Sequence, residues 1–211
     1  MIELFTSAFL TLVVIVDPPG CAPIFASLTS GAPPAHRRRM AIRSCIVAWS
    51  ILMFFALFGE ALLSHIGVSL SAFRLAGGIM LFMIALDMVF ERRTERREER
   101  AEEIKGTPEA EDVSVFPMAI PMIAGPGSIA SVMLLNARAD GPQESVIVLV
   151  AMTLVILLTL VALLAAGPLM RFVGAKVEAM ITRILGVILA ALATQFVLDG
   201  LERSLPGLAG A

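Results

Sequence analysis

Asp17 is an acidic side chain set well inside an apolar segment, directly before Pro18-Pro19-Gly20, with Cys21 and Pro23 just after. A carboxylate in such a place binds a mobile partner or is neutralised by a fixed one. The mobile partner is a proton or a substrate ammonium; the fixed one is the start of a helix near Pro18 or Pro19, which Asp caps well. A second cluster, Gly125-Pro126-Gly127-Ser128, follows Pro121 in another apolar segment. A helix starting there offers free N–H groups and the positive end of its dipole, which hold a carboxylate without a basic side chain. The pair suits a zwitterion. Its carboxylate would rest on amides near Gly127 or Gly20, and its ammonium on unwound carbonyls or Asp17. The substrate-binding candidates are therefore Asp17, Pro19, Gly20, Cys21, Gly125, Pro126, Gly127 and Ser128. The plain alternative is two kinks satisfied by neighbouring helices, as glycine and proline in membrane helices often are.

Other chemistry is poorly provided for. The two histidines, His36 and His65, fall in predicted loops on opposite sides of a bilayer, so Ser128 has no base within reach. Asp17 and Asp87 lie in no Gly-x-Gly-Asp setting that would make an aspartyl dyad. Cys21 and Cys45 both sit in apolar segments, against a disulfide framework or a metal site. No catalytic residue, metal or cofactor is expected. Arg74 and Arg183, one turn inside opposite faces, are candidates for gating or structural charge. They are expected to snorkel or to pair, Arg74 with Glu60 and Arg183 with Glu178 or Asp87.

The elements that must position these residues are membrane spans. Of the 211 residues 58% are apolar and 16% charged, well below the roughly 25% of soluble domains; mean hydropathy is +0.89. A spanning helix needs about 20 mostly apolar residues. Windows at 3–29, 41–63, 68–90, 114–136, 144–166 and 176–200 qualify. Proline removes a donor and clashes with the preceding turn, so the first and fourth are expected as half-helices joined by unwound backbone. Pro126-Gly127 lies 107 positions after Pro19-Gly20, and Arg183-Ile-Leu-Gly186 lies 109 after Arg74-Leu-Ala-Gly77. The chain thus divides into a three-helix repeat at 1–90, a charged linker at 91–113 and a second repeat at 114–211. Three spans are an odd number, so the halves insert with opposite orientation, as in many secondary transporters. The linker's mixed charges suit a solvated helical extension ending at a Gly106-Thr107-Pro108 turn. Gly77-Gly78, Gly186 and Ala190-Ala191 are small enough for close helix contact.

Twelve of the sixteen basic residues fall in the connections after spans one, three and five, against Arg138 and Arg203 on the other side. The positive-inside rule then puts those connections in the cytoplasm and both termini outside. Glu3 stands where a signal peptide would be basic, so the first apolar run is expected to remain as a span. Net charge is −2, and the arginine clusters have acidic neighbours without interleaved aromatics, which excludes nucleic acid as a partner.

Asp17 through Phe25, Arg74 through Met88, Pro117 through Gly127 and Arg183 through Leu201 together resemble the MarC family of six-span bacterial inner-membrane proteins. That family is similar to the neutral amino-acid transporters of the LysE-type exporter group, and the likeness covers nearly the whole chain. The resemblance implies transport of small neutral amino acids such as glycine or alanine across the inner membrane. In one departure, Cys21 stands where the family usually carries Asn, which bears on specificity. The expectation is an all-α membrane protein of two inverted repeats with helices 1 and 4 broken, acting as a secondary transporter coupled to protons. A channel or a non-transporting membrane component is the alternative.

Overall fold

The computed structural model describes residues 1–92, 95–96, 98–99, 102 and 112–204, without the side chains of 167–176 and 178. The helical extension and Gly106-Thr107-Pro108 turn expected in 91–113 fall largely outside the described residues. Helices account for the elements that are described. They are α1 (Ile2–Val16), α2 (Pro18–Leu28), α3 (Pro34–His65), α4 (Leu70–Val89), an irregularly wound segment (Ser114–Ile123), α5 (Pro126–Asn136), α6 (Pro142–Leu164) and α7 (Ala166–Ser204). Among the described residues five spans are long and apolar enough to cross a membrane, with α1 and α2 counted as one, and six if the irregular segment and α5, bent by 54°, are taken together as one broken span. This is an all-α multi-pass membrane fold.

Proline punctuates it. Pro18, Pro34, Pro126 and Pro142 each open a helix, where the missing N–H would have had no partner. Inside the fourth span proline acts on its predecessor instead. Phe116 (φ −123, ψ 128) and Ile120 (φ −125, ψ 125) are extended because each precedes a proline, whose ring disfavours the α region for the residue before it. The first half of this span is therefore not the regular half-helix expected from sequence. Two further expectations need correction. The histidines are not in loops: α3 runs past its predicted ends and holds His36 in its first turn and His65 as its last residue. The last helix also begins earlier than the predicted 176, since α7 is helical from Ala166, with Pro168 tolerated in the first turn.

Small residues set the packing. Glycines bring α4 and α7 together antiparallel: a Cβ on Gly200 would lie 2.9 Å from the Leu75 nitrogen, one on Gly78 2.8 Å from that of Val197, and one on Gly186 2.8 Å from the Met88 Cβ. No larger residue fits these positions without separating the helices. Ala8, Ala41, Ala48 and Ala151 are fully buried where α1, α3 and α6 meet, and Trp49 Nε1 donates to Thr153 Oγ1 at 3.0 Å across the α3–α6 seam. Phe54, Leu57, Ile79, Leu157, Val161 and Ile184 point outward, at least 50% exposed. In water that surface would aggregate; in a bilayer it is the side that faces lipid.

Candidate substrate site

The first break is a helix cap built around one carboxylate. Asp17 takes up a left-handed conformation (φ 58, ψ 65), ending α1 with its own N–H on the Val13 carbonyl at 2.9 Å. Its side chain then accepts the Gly20 N–H at 3.1 Å and so starts α2. A Cβ on Gly20 would come within 2.2 Å of the Asp17 carboxylate, so glycine is what allows the cap to close. Cys21 Sγ donates to the Val16 carbonyl at 3.5 Å, occupying an acceptor that the break leaves open. Asp17 is 1% exposed and Cys21 fully buried.

The second break is open. α5 begins at Gly125 without a side-chain cap, so the amides of Gly127 and Ser128 in its first turn meet no capping group. Gly125 is required here, because a Cβ would lie 2.4 Å from the Pro121 carbonyl oxygen. In front of these amides lies a cavity of about 490 Å³, walled by 121–122 and 125–128, by Met80, Met83 and Ile84 of α4, and by Ile15. Ser128 is 3% exposed and lines this cavity. Asp87 and Arg96 also line the cavity and form an ion pair. Arg96, 66% exposed, marks the open end. Away from it, Ile15, Leu81 and Leu134 close into an apolar cluster that fills the interior.

The two breaks are neighbours. A Cβ on Gly127 would meet Ile15 Cγ2 at 3.6 Å, two residues before Asp17. Of the predicted binding residues, Gly125, Pro126, Gly127 and Ser128 line the cavity, whereas Asp17, Pro19, Gly20 and Cys21 stand behind it as the first break. Asp87 and the methionines of α4 were not singled out as wall residues from sequence. Asp87 carries a signal, an acidic residue in the last turn of an apolar span; Met80 and Met83 carry none. Outside the membrane, a hydrogen bond from the Ser114 hydroxyl holds the Asp112 carboxyl below its usual range, with Arg43 adding to the effect. That contact ties the start of the irregular segment to the base of α3.

The arginines depart from expectation. Arg74 does not snorkel: it is 1% exposed, its Nε lacks a partner, and it makes no ion pair with Glu60 among the described residues. Its level on α4 is packed against α7, which shuts it off from the surface. Arg183 is 54% exposed and pairs at 2.5 Å with Glu91. Asp87 is taken by Arg96, and the side chain of Glu178 lies outside the described residues.

The family model described as MarC family integral membrane protein matches residues 2–205. The chain belongs to the MarC family. Its similarity to a UPF0056 membrane protein of Methanocaldococcus jannaschii is 36% identity over 97% of this chain and 98% of that one. To the UPF0056 membrane protein YvbG of Bacillus subtilis it is 33% over 99% of each. To the UPF0056 inner membrane protein YhgN of Escherichia coli K12 it is 32% over 95% and 98%. No solved structure matches the chain. In this MarC protein the sequence likeness runs over both breaks, and the second of them opens on a cavity.

Proposed function

We propose that this MarC protein is a secondary transporter of small neutral amino acids such as glycine or alanine, coupled to protons. The observation that carries the reading is the cavity at the uncapped start of α5, lined by Gly127 and Ser128 of its first turn. A substrate carboxylate there completes the turn and meets the positive end of the helix dipole. The ammonium reaches the unwound carbonyls near Pro121 or the Asp87 carboxylate. Asp87 and Arg96 neutralise each other, so the cavity favours a zwitterion over an ion. Met80, Met83, Ile84 and Ile15 suit a small aliphatic side chain. The apolar plug of Ile15, Leu81 and Leu134 favours a carrier over a channel, because a channel needs a continuous polar path.

Two inverted repeats would supply the moving parts. Exchanging spans one to three for four to six maps the contact of α1 and α2 with α6 onto that of α3 with the irregular segment and α5, while the α4–α7 and α3–α6 pairs map onto themselves. That invariance supports a twofold relation between the halves. Titration calorimetry on the purified protein tests the function: glycine or alanine binds saturably, and proteoliposomes accumulate it under a pH gradient. Absence of binding across a panel of neutral amino acids would sink the reading.

We place both termini on the extracytoplasmic side of the inner membrane, with the arginine-rich connections inside. In intact cells an impermeant thiol reagent should label Asp140→Cys and spare Ser30→Cys. The reverse pattern would invert the orientation.

A further inference from the structure

The α4–α7 pair holds two arginines in opposite conditions. At one end Arg183 of α7 pairs with Glu91, just past the last turn of α4, beside the open end of the cavity marked by Asp87 and Arg96. At the other end Arg74 of α4 is buried with its Nε unpaired, and the charged groups acting on it are Arg203, Arg138, Asp199 and Glu60. The antiparallel alignment sets Asp199 of α7 at the level of Arg74, since neighbouring Gly200 packs on Ser71 and Leu75. Asp199 is engaged elsewhere. It pairs with Arg138, which lies 4.5 Å over the Phe196 ring, and accepts from Gln195 at 2.7 Å.

The spacing is reciprocal. Glu91 lies 17 positions after Arg74 on the α4 side, and Asp199 lies 16 after Arg183 on α7. Each helix therefore carries an arginine near its start in the span and an acid near its end, and antiparallel packing crosses them into two sites. One cross-pair is made. The other is not, although both its members are in place. A buried guanidinium with an unpaired Nε and no ion pair among the described residues is costly, so a rearrangement that delivers an acid to Arg74 lowers the energy of the rearranged state.

We propose that Arg183–Glu91 and Arg74–Asp199 are two gate pairs made in alternation, each formed when its own end of the cavity is open and broken, with its arginine buried, when that end is closed. The inference rests on the transport reading above and names the residues that set its conformational balance. Opening the Arg74 end frees Asp199 from Arg138 and brings it onto Arg74; closing the Asp87 end buries Arg183 and releases Glu91. Neutralising an arginine removes the penalty of the state in which it is buried, and so favours that state. Arg74→Gln then holds the protein open toward Asp87, and Arg183→Gln holds it open the other way.

The test needs no substrate, so it stands apart from the binding experiment. Ser128→Cys reports on the cavity, while native Cys21 and Cys45, both buried, give the background. Labelling by an impermeant thiol reagent is measured in right-side-out and inside-out vesicles, and the ratio of rates from the Asp87 side to the opposite side is taken. Arg74→Gln should raise the ratio about tenfold or more, and Arg183→Gln should lower it by a similar factor. Arg74→Lys, which keeps the charge, should stay within about twofold of the parent. Shifts in the same direction, or no shift, overturn the proposal. Should Arg74→Gln fail to fold, the exposed Arg183→Gln decides alone, a fall supporting the gate and an unchanged ratio overturning it.

Discussion

Ser128→Asp should abolish glycine binding while leaving the protein at least as stable as the parent. Ser128 is the third residue of α5, where a carboxylate meets both the free amides of the first turn and the positive end of the dipole. A built-in carboxylate at that point occupies the place proposed for the substrate's own. Each charge-assisted hydrogen bond it takes over contributes about 1.5–3 kcal/mol. Affinity should therefore fall at least about a hundredfold, or about 2.7 kcal/mol. Ser128→Ala is the control: it removes one neutral hydroxyl contact, worth about 0.5–1.5 kcal/mol, and should weaken binding roughly tenfold or less. Calorimetry on the two variants reads both numbers. Unchanged glycine affinity in a folded Ser128→Asp protein would move the carboxylate site away from α5.

The parts of this site legible in the sequence are those written in backbone chemistry. Pro18-Pro19-Gly20 and Pro126-Gly127 announce breaks because proline and glycine act locally, and the structure places breaks at both. The apolar windows likewise mark the spans. What sequence did not distinguish is which break is filled. Asp17 caps α2 through its own side chain, whereas Gly125 has no side chain to offer α5, and that difference leaves amides free at one break only. The extended residues Phe116 and Ile120 follow from the same proline rule, applied one position earlier than the break. The condition of Arg74 could not be read from its neighbours in the chain. It depends on glycines of α4 and α7 that seal the surface around it, and on Arg138 drawing Asp199 away.

Asp17 should show the second large effect, and its variants separate two roles that coexist in one carboxylate. Asp17→Ala loses the cap on Gly20, about 1 kcal/mol, and forces alanine into a left-handed conformation at a further 1–2 kcal/mol or so. The expected destabilisation is about 2–3 kcal/mol, read as a lowered unfolding midpoint in detergent. Asp17→Asn should unfold within about 0.5 kcal/mol of the parent, because asparagine caps as well as aspartate and tolerates the same backbone. Stability alone then reports on the cap, and transport in the asparagine variant reports on the charge. On the proton-coupled reading, Asp17→Asn should still bind glycine at the α5 amides yet lose uptake driven by a pH gradient, since an amide has no proton to release at that depth. Full pH-driven uptake by the folded asparagine variant would confine Asp17 to its cap and leave coupling to another group, of which Asp87, at the mouth of the cavity, is the acid already in place.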